Sequence, residues 1–258
     1  MSGHSKWAKI KRQKGVKDAK RGALFTKLAK VITISASEGG GDPNMNFTLR
    51  LAIEKAKQAN MPLINIEKAI KRGTGELNEG VKFEKVIYEG VLSNGATLII
   101  ECTTDNKNRT VADLRKILEN HGGSIGVMGS VLWKFEEVGY ILVEPKKLVK
   151  SQMFGKDDTY EKVSDIDELE MELLEFDGIK DIQVEEGNLV VITERNQFAN
   201  VAKRISEANL KIDTSEIRYI PRDYVTKDED GINKVLELMS ELDDHDDVEN
   251  VFTDINLD

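Results

Sequence analysis

The sequence predicts an α+β chain: an N-terminal three-helix bundle followed by two ferredoxin-like α/β domains, the third inserted into the second. Three observations carry this. The apolar spacing is helical up to about residue 75 and alternating from about residue 80. Residues 138–221 spell βαββαβ, the ferredoxin-like order. The helix and strand after Pro221 can then complete the strand–strand–helix–strand set of residues 83–136. The expected organisation is a basic arm at 1–21, the bundle at 22–78, an α/β domain from 79–136 plus 222–258, and an inserted α/β domain at 137–221. A chain of 258 residues is long enough for two or three such units.

Leu24, Leu28, Val31, Ile32 and Ser35, with Phe25 on the flank, form one helical stripe. Continued backwards it meets Arg21 and Lys17, so the packed helix is expected to start near residue 22, with an arm or projecting helical extension before it. Gly39-Gly40-Gly41 ends this helix. Asp42-Pro43 offers an N-cap and a first-turn proline to a second helix striped by Leu49, Ala52, Ile53, Ala56 and Ala59. Met61-Pro62 opens a third helix, with Leu63, Ile66, Ala69 and Ile70 inward and Gly73 as its C-cap.

In the body, Val86 and Tyr88 lead through the turn Ser93-Asn94-Gly95 to Thr97–Thr103, a hairpin whose Leu98, Ile100 and Cys102 share one face. Cys102 is thus a buried strand residue. A helix with Val111, Leu114, Ile117 and Leu118 inward follows, Thr110 and Asp113 having capping-box-like spacing, and Gly122-Gly123 closes it. Strands are expected around Ser130–Phe135 and Tyr140–Val143, then helix 162–175, strands 179–185 and 189–194, helix 197–208, strand 213–220, helix 230–242 and strand 247–254. Leu169-Glu170-Met171 before Asp177-Gly178-Ile179, and Leu236-Glu237-Leu238 before Asp246-Asp247-Val248, echo each other as helix, acidic turn and strand.

Charge is divided along the chain. The total is −9, but residues 1–72 sum to +11 and the remainder to −20. Such asymmetry marks a polyanion-binding segment joined to a body that is not one. The arm holds Lys6, Lys9, Lys11, Arg12, Lys14, Lys17, Lys20 and Arg21 against Asp18 alone, a density that repels itself and suits phosphate. Trp7 lies within the run, where an indole can stack on a base or wedge at a groove; the alternative is a solvated tail that Trp7 pins to the body. Lys27, Arg50, Lys71 and Arg72 extend the nucleic-acid-binding surface or serve as ordinary solvated helix cations.

Other classes find little support. Apolar runs fall well short of a membrane span, and the basic start lacks the apolar stretch of a secretory signal, which points to a cytoplasmic chain with no membrane partner. One cysteine excludes a disulfide framework, and His4, His121 and His245 are too dispersed for a local metal motif. The segment Gly122–Ser130 lacks the spacing and Lys-Ser/Thr of a phosphate loop and reads as hairpin and turn. Asp243, Asp244, Asp246 and Asp247 lack EF-hand spacing and read as a solvated acidic turn. The polar cluster Asp105, Asn108 and Arg109 reads as a loop-ordering or partner-contact feature before a catalytic one. The expectation is a non-enzyme with no catalytic residue, metal, cofactor or small-molecule substrate.

Several stretches resemble the YebC family. They are Gly3-His4-Ser5-Lys6-Trp7, Asp18-Ala19-Lys20-Arg21-Gly22, Phe25-Thr26-Lys27-Leu28, and Gly40-Gly41-Asp42-Pro43 through Leu49-Arg50. Asn60-Met61-Pro62, Tyr88-Glu89-Gly90, Thr104–Thr110 and Gly129-Ser130-Val131 continue the match along the chain. Val91-Leu92-Ser93-Asn94 departs from the family's Tyr-Gly-Pro-type turn. The resemblance implies three domains with the third inserted into the second, and cytoplasmic bacterial proteins described as probable DNA-binding transcriptional regulators. It also implies a translational alternative, since mitochondrial relatives are translational activators and some bacterial members act on ribosomes stalled at proline-rich stretches. The partner is therefore DNA or ribosomal RNA, with the acidic body free to meet a ribosomal or other protein. A rival from another class is a protein-interaction module whose arm docks on an acidic partner.

Overall fold

The computed structural model describes residues 18–77, 83–149, 159–163 and 165–257, with the backbone alone at 18–20. It divides into two compact units, one reaching Phe135 and resuming at Pro221, the other Glu136–Ile220. Among the described residues are seven α-helices and two antiparallel sheets, a mixed α+β fold with a helical N-terminal region and an α/β body.

The first three helices are α1 (Asp18–Gly39), α2 (Phe47–Gln58) and α3 (Leu63–Gly73). Leu28, Ile32 and Ala36 of α1 pack on Leu49, Ala52, Ile53 and Ala56 of α2 and on Ile66 and Ala69 of α3. The described helix runs from Asp18, ahead of the packed part expected from about residue 22, and its first buried side chain is Leu28. Two expectations are corrected here. Asp42 is not the cap of α2: its side chain accepts the Asn44 amide in a preceding turn, and Asn46 caps the helix. Leu63 is 64 % exposed, because Pro62 starts α3 and leaves Leu63 in a first turn that projects beyond the stripe. Asn46 is buried and fully engaged. Its Oδ1 accepts the Leu49 amide at 3.0 Å, and its Nδ2 donates to the carbonyls of Ser35 at 2.7 Å and Gly40 at 2.8 Å. A Cβ at Gly39 would come within 2.6 Å of this amide, so the end of α1 requires glycine beside it.

The first sheet has the order β3-β1-β2-β9, from β1 (Glu84–Leu92), β2 (Thr97–Thr104), β3 (Gly123–Ile125) and β9 (Val248–Thr253). The β1–β2 hairpin turns at Asn94-Gly95, where Gly95 has φ 84° and Asn94 Oδ1 accepts the Ala96 amide. Helices α4 (Lys107–Asn120) and α7 (Glu229–Asp244) cover one face, where Leu98, Ile100 and Cys102 meet Leu114, Leu118, Val235 and Leu238. Burial pushes the Cys102 thiol above its ordinary value, consistent with its packing role. Asn106, not Thr110, caps α4.

The expected strand at Ser130–Phe135 is instead a turn and a short 3-10 helix, Leu132–Lys134. The backbone amides that a ladder would use converge on a single carboxylate. Glu89 of β1 accepts from the amides of Gly129, Val131 and Leu132, the last at 2.9 Å. The glycine-rich segment thus cradles an anion, and the anion is the chain's own.

In the second unit β4 (Phe135–Val149) lies between β8 (Leu210–Pro221) and β7 (Asn188–Glu194), and β6 (Ile179–Glu185) flanks β7. The order β8-β4-β7-β6 is ferredoxin-like. A further strand, β5 (Thr159–Lys162), pairs with the end of β4. Helices α5 (Ile166–Leu174) and α6 (Phe198–Glu207) supply the buried Leu169, Leu173, Val201 and Ile205. The two echoing segments are both helix–turn–strand, and each delivers an edge strand, β6 or β9.

Asn46→Ala removes three hydrogen bonds of a buried amide. It is expected to lower stability by about 2 kcal/mol in chemical denaturation.

Candidate nucleic-acid interface

Of the candidate binding residues, Lys6, Trp7, Lys9, Lys11, Arg12, Lys14 and Lys17 lie outside the described residues, as does the side chain of Lys20. Arg21 is exposed on the first turn of α1, its guanidinium 5.6 Å from the centre of the Phe25 ring. The Arg50 guanidinium lies 5.1 Å from the centre of the Phe47 ring, so each of these two cations sits over an aromatic face. Lys71 and Arg72 occupy the last turn of α3, where cations complement the negative end of the helix dipole. Lys55 and Lys57 end α2 in the same way. These placements carry positive charge to the C-terminal ends of both short helices.

Lys27 has an internal partner. Its ammonium donates to the carbonyl of Asp243, at the end of α7. One turn further on, Lys30 reaches the same segment, donating to the Asp246 carbonyl at 3.0 Å and to Asp247 Oδ1 at 2.6 Å. The structure therefore joins two features that lie far apart in the sequence, the helical region's lysines and the acidic run before β9.

Asp247 departs from the solvated turn expected of that run. It is 3 % exposed, because the chain enters β9 here and Thr103 donates its amide to the Asp247 carbonyl at 2.8 Å. Its Oδ2 lies 3.1 Å from Arg109 Nη2, 2.8 Å from the Thr110 hydroxyl and 3.1 Å from the Thr104 hydroxyl. Its own amide donates to His245 Nδ1 at 3.1 Å. Burial would push this carboxyl up, but the hydrogen bonds from Lys30, Thr110 and Arg109 outweigh it and hold the group well below the ordinary carboxylate range. Arg109 also bridges to Asp105 at 2.8 Å, just before the cap of α4, while Asn108 remains exposed. Of the Asp105, Asn108 and Arg109 cluster, Arg109 thus has a defined structural contact that holds α4 to the start of β9.

Sequence reasoning missed three residues of this geometry. Lys30 was one cation among many, Asp247 was the fourth acid of a run, and Glu89 stood in a strand whose amide partners come from a segment forty residues away. Glu89 is also held below its usual value: burial raises it, and the amides of Gly129, Val131 and Leu132 together lower it further. Among the described residues no group of histidine, cysteine and acidic side chains is arranged to hold a metal. No helix among them is long and apolar enough to cross a membrane.

A basic helical region leads into two antiparallel α/β layers, and comparison with known proteins gives that architecture a family. Residues 5–76 match the family described as TACO1/YebC protein N-terminal domain, and residues 83–255 match TACO1/YebC second and third domain. The chain belongs to the TACO1/YebC family. It is 45% identical to a protein of Halothermothrix orenii over 258 residues, covering 100% of this chain and 96% of the relative. A Dictyoglomus turgidum protein is 44% identical with the same coverage, and both are named "Probable transcriptional regulatory protein". The crystal structure of a conserved hypothetical protein from Aquifex aeolicus superposes with a TM-score of 0.77 at 36% identity, covering 92% of this chain and 91% of that one. The relatives' names are those of regulatory proteins, not enzymes.

Asp247→Asn leaves Lys30 half-enclosed without a counter-charge and is expected to cost about 3 kcal/mol in denaturant unfolding. Arg109→Ala, at a half-exposed guanidinium, should cost less than about 1 kcal/mol. Asp247 and Glu89 are both more acidic folded than unfolded, so the stability they contribute is complete above their ordinary values of 3.8 and 4.5 and is lost as the pH falls toward their lower folded values. Thermal melts should be level at neutral pH and decline below about pH 4.5, and Asp247→Asn should show a shallower decline.

Proposed function

We propose that the chain is a non-enzymatic, nucleic-acid-binding regulator of gene expression that works in the cytoplasm, a DNA-binding transcriptional regulator of the YebC type. One observation carries the reading: residues 1–72 sum to +11 while the rest of the chain sums to −20. A polyanion attracts the first part and is repelled by the net charge of the second, so the first part leads binding and most of the acidic body stays free to meet a protein partner. The names of the relatives support the regulatory sense.

In this reading the arm at 1–21 makes the first phosphate contacts, and Arg21, Arg50, Lys71 and Arg72 extend them along the bundle at 22–78. The α/β domain of 79–136 plus 222–258 and the inserted domain at 137–221 form the rest of the regulator. Lys27, held by the Asp243 carbonyl, contributes less than its sequence position suggests.

The test is binding of the full chain to promoter duplexes and to ribosomal RNA across a salt series. If six arm cations meet phosphates, log affinity for duplex should fall against log salt with a slope of about −5. Replacing Lys6, Lys9, Lys11, Arg12, Lys14 and Lys17 with Gln should remove most of that slope, leaving the share that Arg21, Arg50, Lys71 and Arg72 supply. Preference for ribosomal RNA over duplex would move the site of action to translation. Binding to neither would overturn the reading.

A further inference from the structure

Between β3 and β4 the chain holds three large apolar side chains out in solvent. Val127 is 79 % exposed, Met128 91 % and Trp133 67 %. Burial would stabilise chains of this size, and a glycine-rich loop has the freedom to fold them inward. It is prevented from doing so by fixed hydrogen bonds. Glu89 gathers the amides of Gly129, Val131 and Leu132 on its carboxylate, and its carbonyl takes the Gly126 amide at 2.7 Å. The Ser130 amide closes the turn on the Val127 carbonyl at 3.0 Å. A buried acid is thus committed to shaping a loop whose outer surface is apolar, which is the construction of a contact surface.

Shape and charge select what it contacts. Exposures this high at two consecutive residues describe a convex tip, and a convex apolar tip needs a partner that opens around it. Base steps do so when apolar side chains wedge between them. The indole Nε1 of Trp133 already donates to the Ser130 carbonyl at 2.9 Å, so the side chain offers its ring face outward in place of its donor. Exposed Arg222 donates Nε to the Trp133 carbonyl at 3.2 Å, placing a cation at the base of the tip, where a phosphate would follow a stacked base. We propose that Val127, Met128 and Trp133 form a base-contacting wedge that stacks on the unpaired bases of a single-stranded nucleic acid. The proposal rests on the nucleic-acid reading above and adds a second, base-directed contact to its phosphate-directed one.

Trp7 and Trp133 are the two tryptophans, so the full chain carrying Trp7→Phe reports on Trp133 alone. Titration with oligouridine should quench its emission, and duplex of equal length should quench it less. Trp133→Ala should weaken oligouridine binding about 5- to 150-fold, the loss typical of one base-stacking aromatic, with the salt slope unchanged. Met128→Ser should weaken it in the same sense. Both side chains are exposed, and an unchanged melting temperature establishes that the variants fold. Unaltered emission in a saturated complex, or native affinity in Trp133→Ala, overturns the wedge and leaves the tip for a protein partner. In that case intact, salt-dependent binding still upholds the nucleic-acid reading; loss of all binding by the unmutated chain defeats both.

Discussion

One buried carboxylate connects the parts of the first unit. Asp247 receives Lys30 from α1, Arg109 and Thr110 from α4, and Thr104 from the end of β2, while its own main chain begins β9. An ionised acid with 3 % exposure is tolerable only because each oxygen has cationic or hydroxyl partners. Remove the acid and a lysine of the helical region faces the sheet without a counter-charge. The contact that orients the cationic helices on the acidic body is therefore electrostatic and localised, and the large apolar clusters lie to either side of it.

The same principle recurs at Glu89, with main-chain amides replacing side-chain cations. Several partial positive charges from one turn balance a full negative charge, as at anion-binding nests. The two sites divide the labour of the unit. Asp247 joins elements to one another, and Glu89 fixes the form of a single loop.

Local chemistry made much of the fold legible. Asn94-Gly95 marks its hairpin because few other pairs tolerate that turn, and the βαββαβ order of 138–221 was readable from its alternating and helical stretches, the added β5 excepted. Capping was harder to place. Asp42 and Asn46 are both good caps by type, and the two extra hydrogen bonds that favour Asn46 depend on Ser35 and Gly40 lying beside it. The site was only half legible. The cation density of the arm is a property of composition and needs no geometry. Asp247 looks like its neighbours Asp243, Asp244 and Asp246, and only tertiary pairing singles it out. Glu89 is harder still, because backbone amides have no sequence signature at all.

The route of the chain through the first sheet also has a temporal meaning. Strand β2 is made well before its outer neighbour β9, with the whole inserted unit between them in the chain. At ribosomal elongation rates of about 5–20 residues per second, on the order of ten seconds separate the two. During that interval an apolar strand carries an open edge, and the helical region has no Asp247 to close upon. The inserted unit is contiguous and can fold while it waits. The first sheet thus closes only after the inserted unit has been made, and the cationic helices settle onto Asp247 at that point.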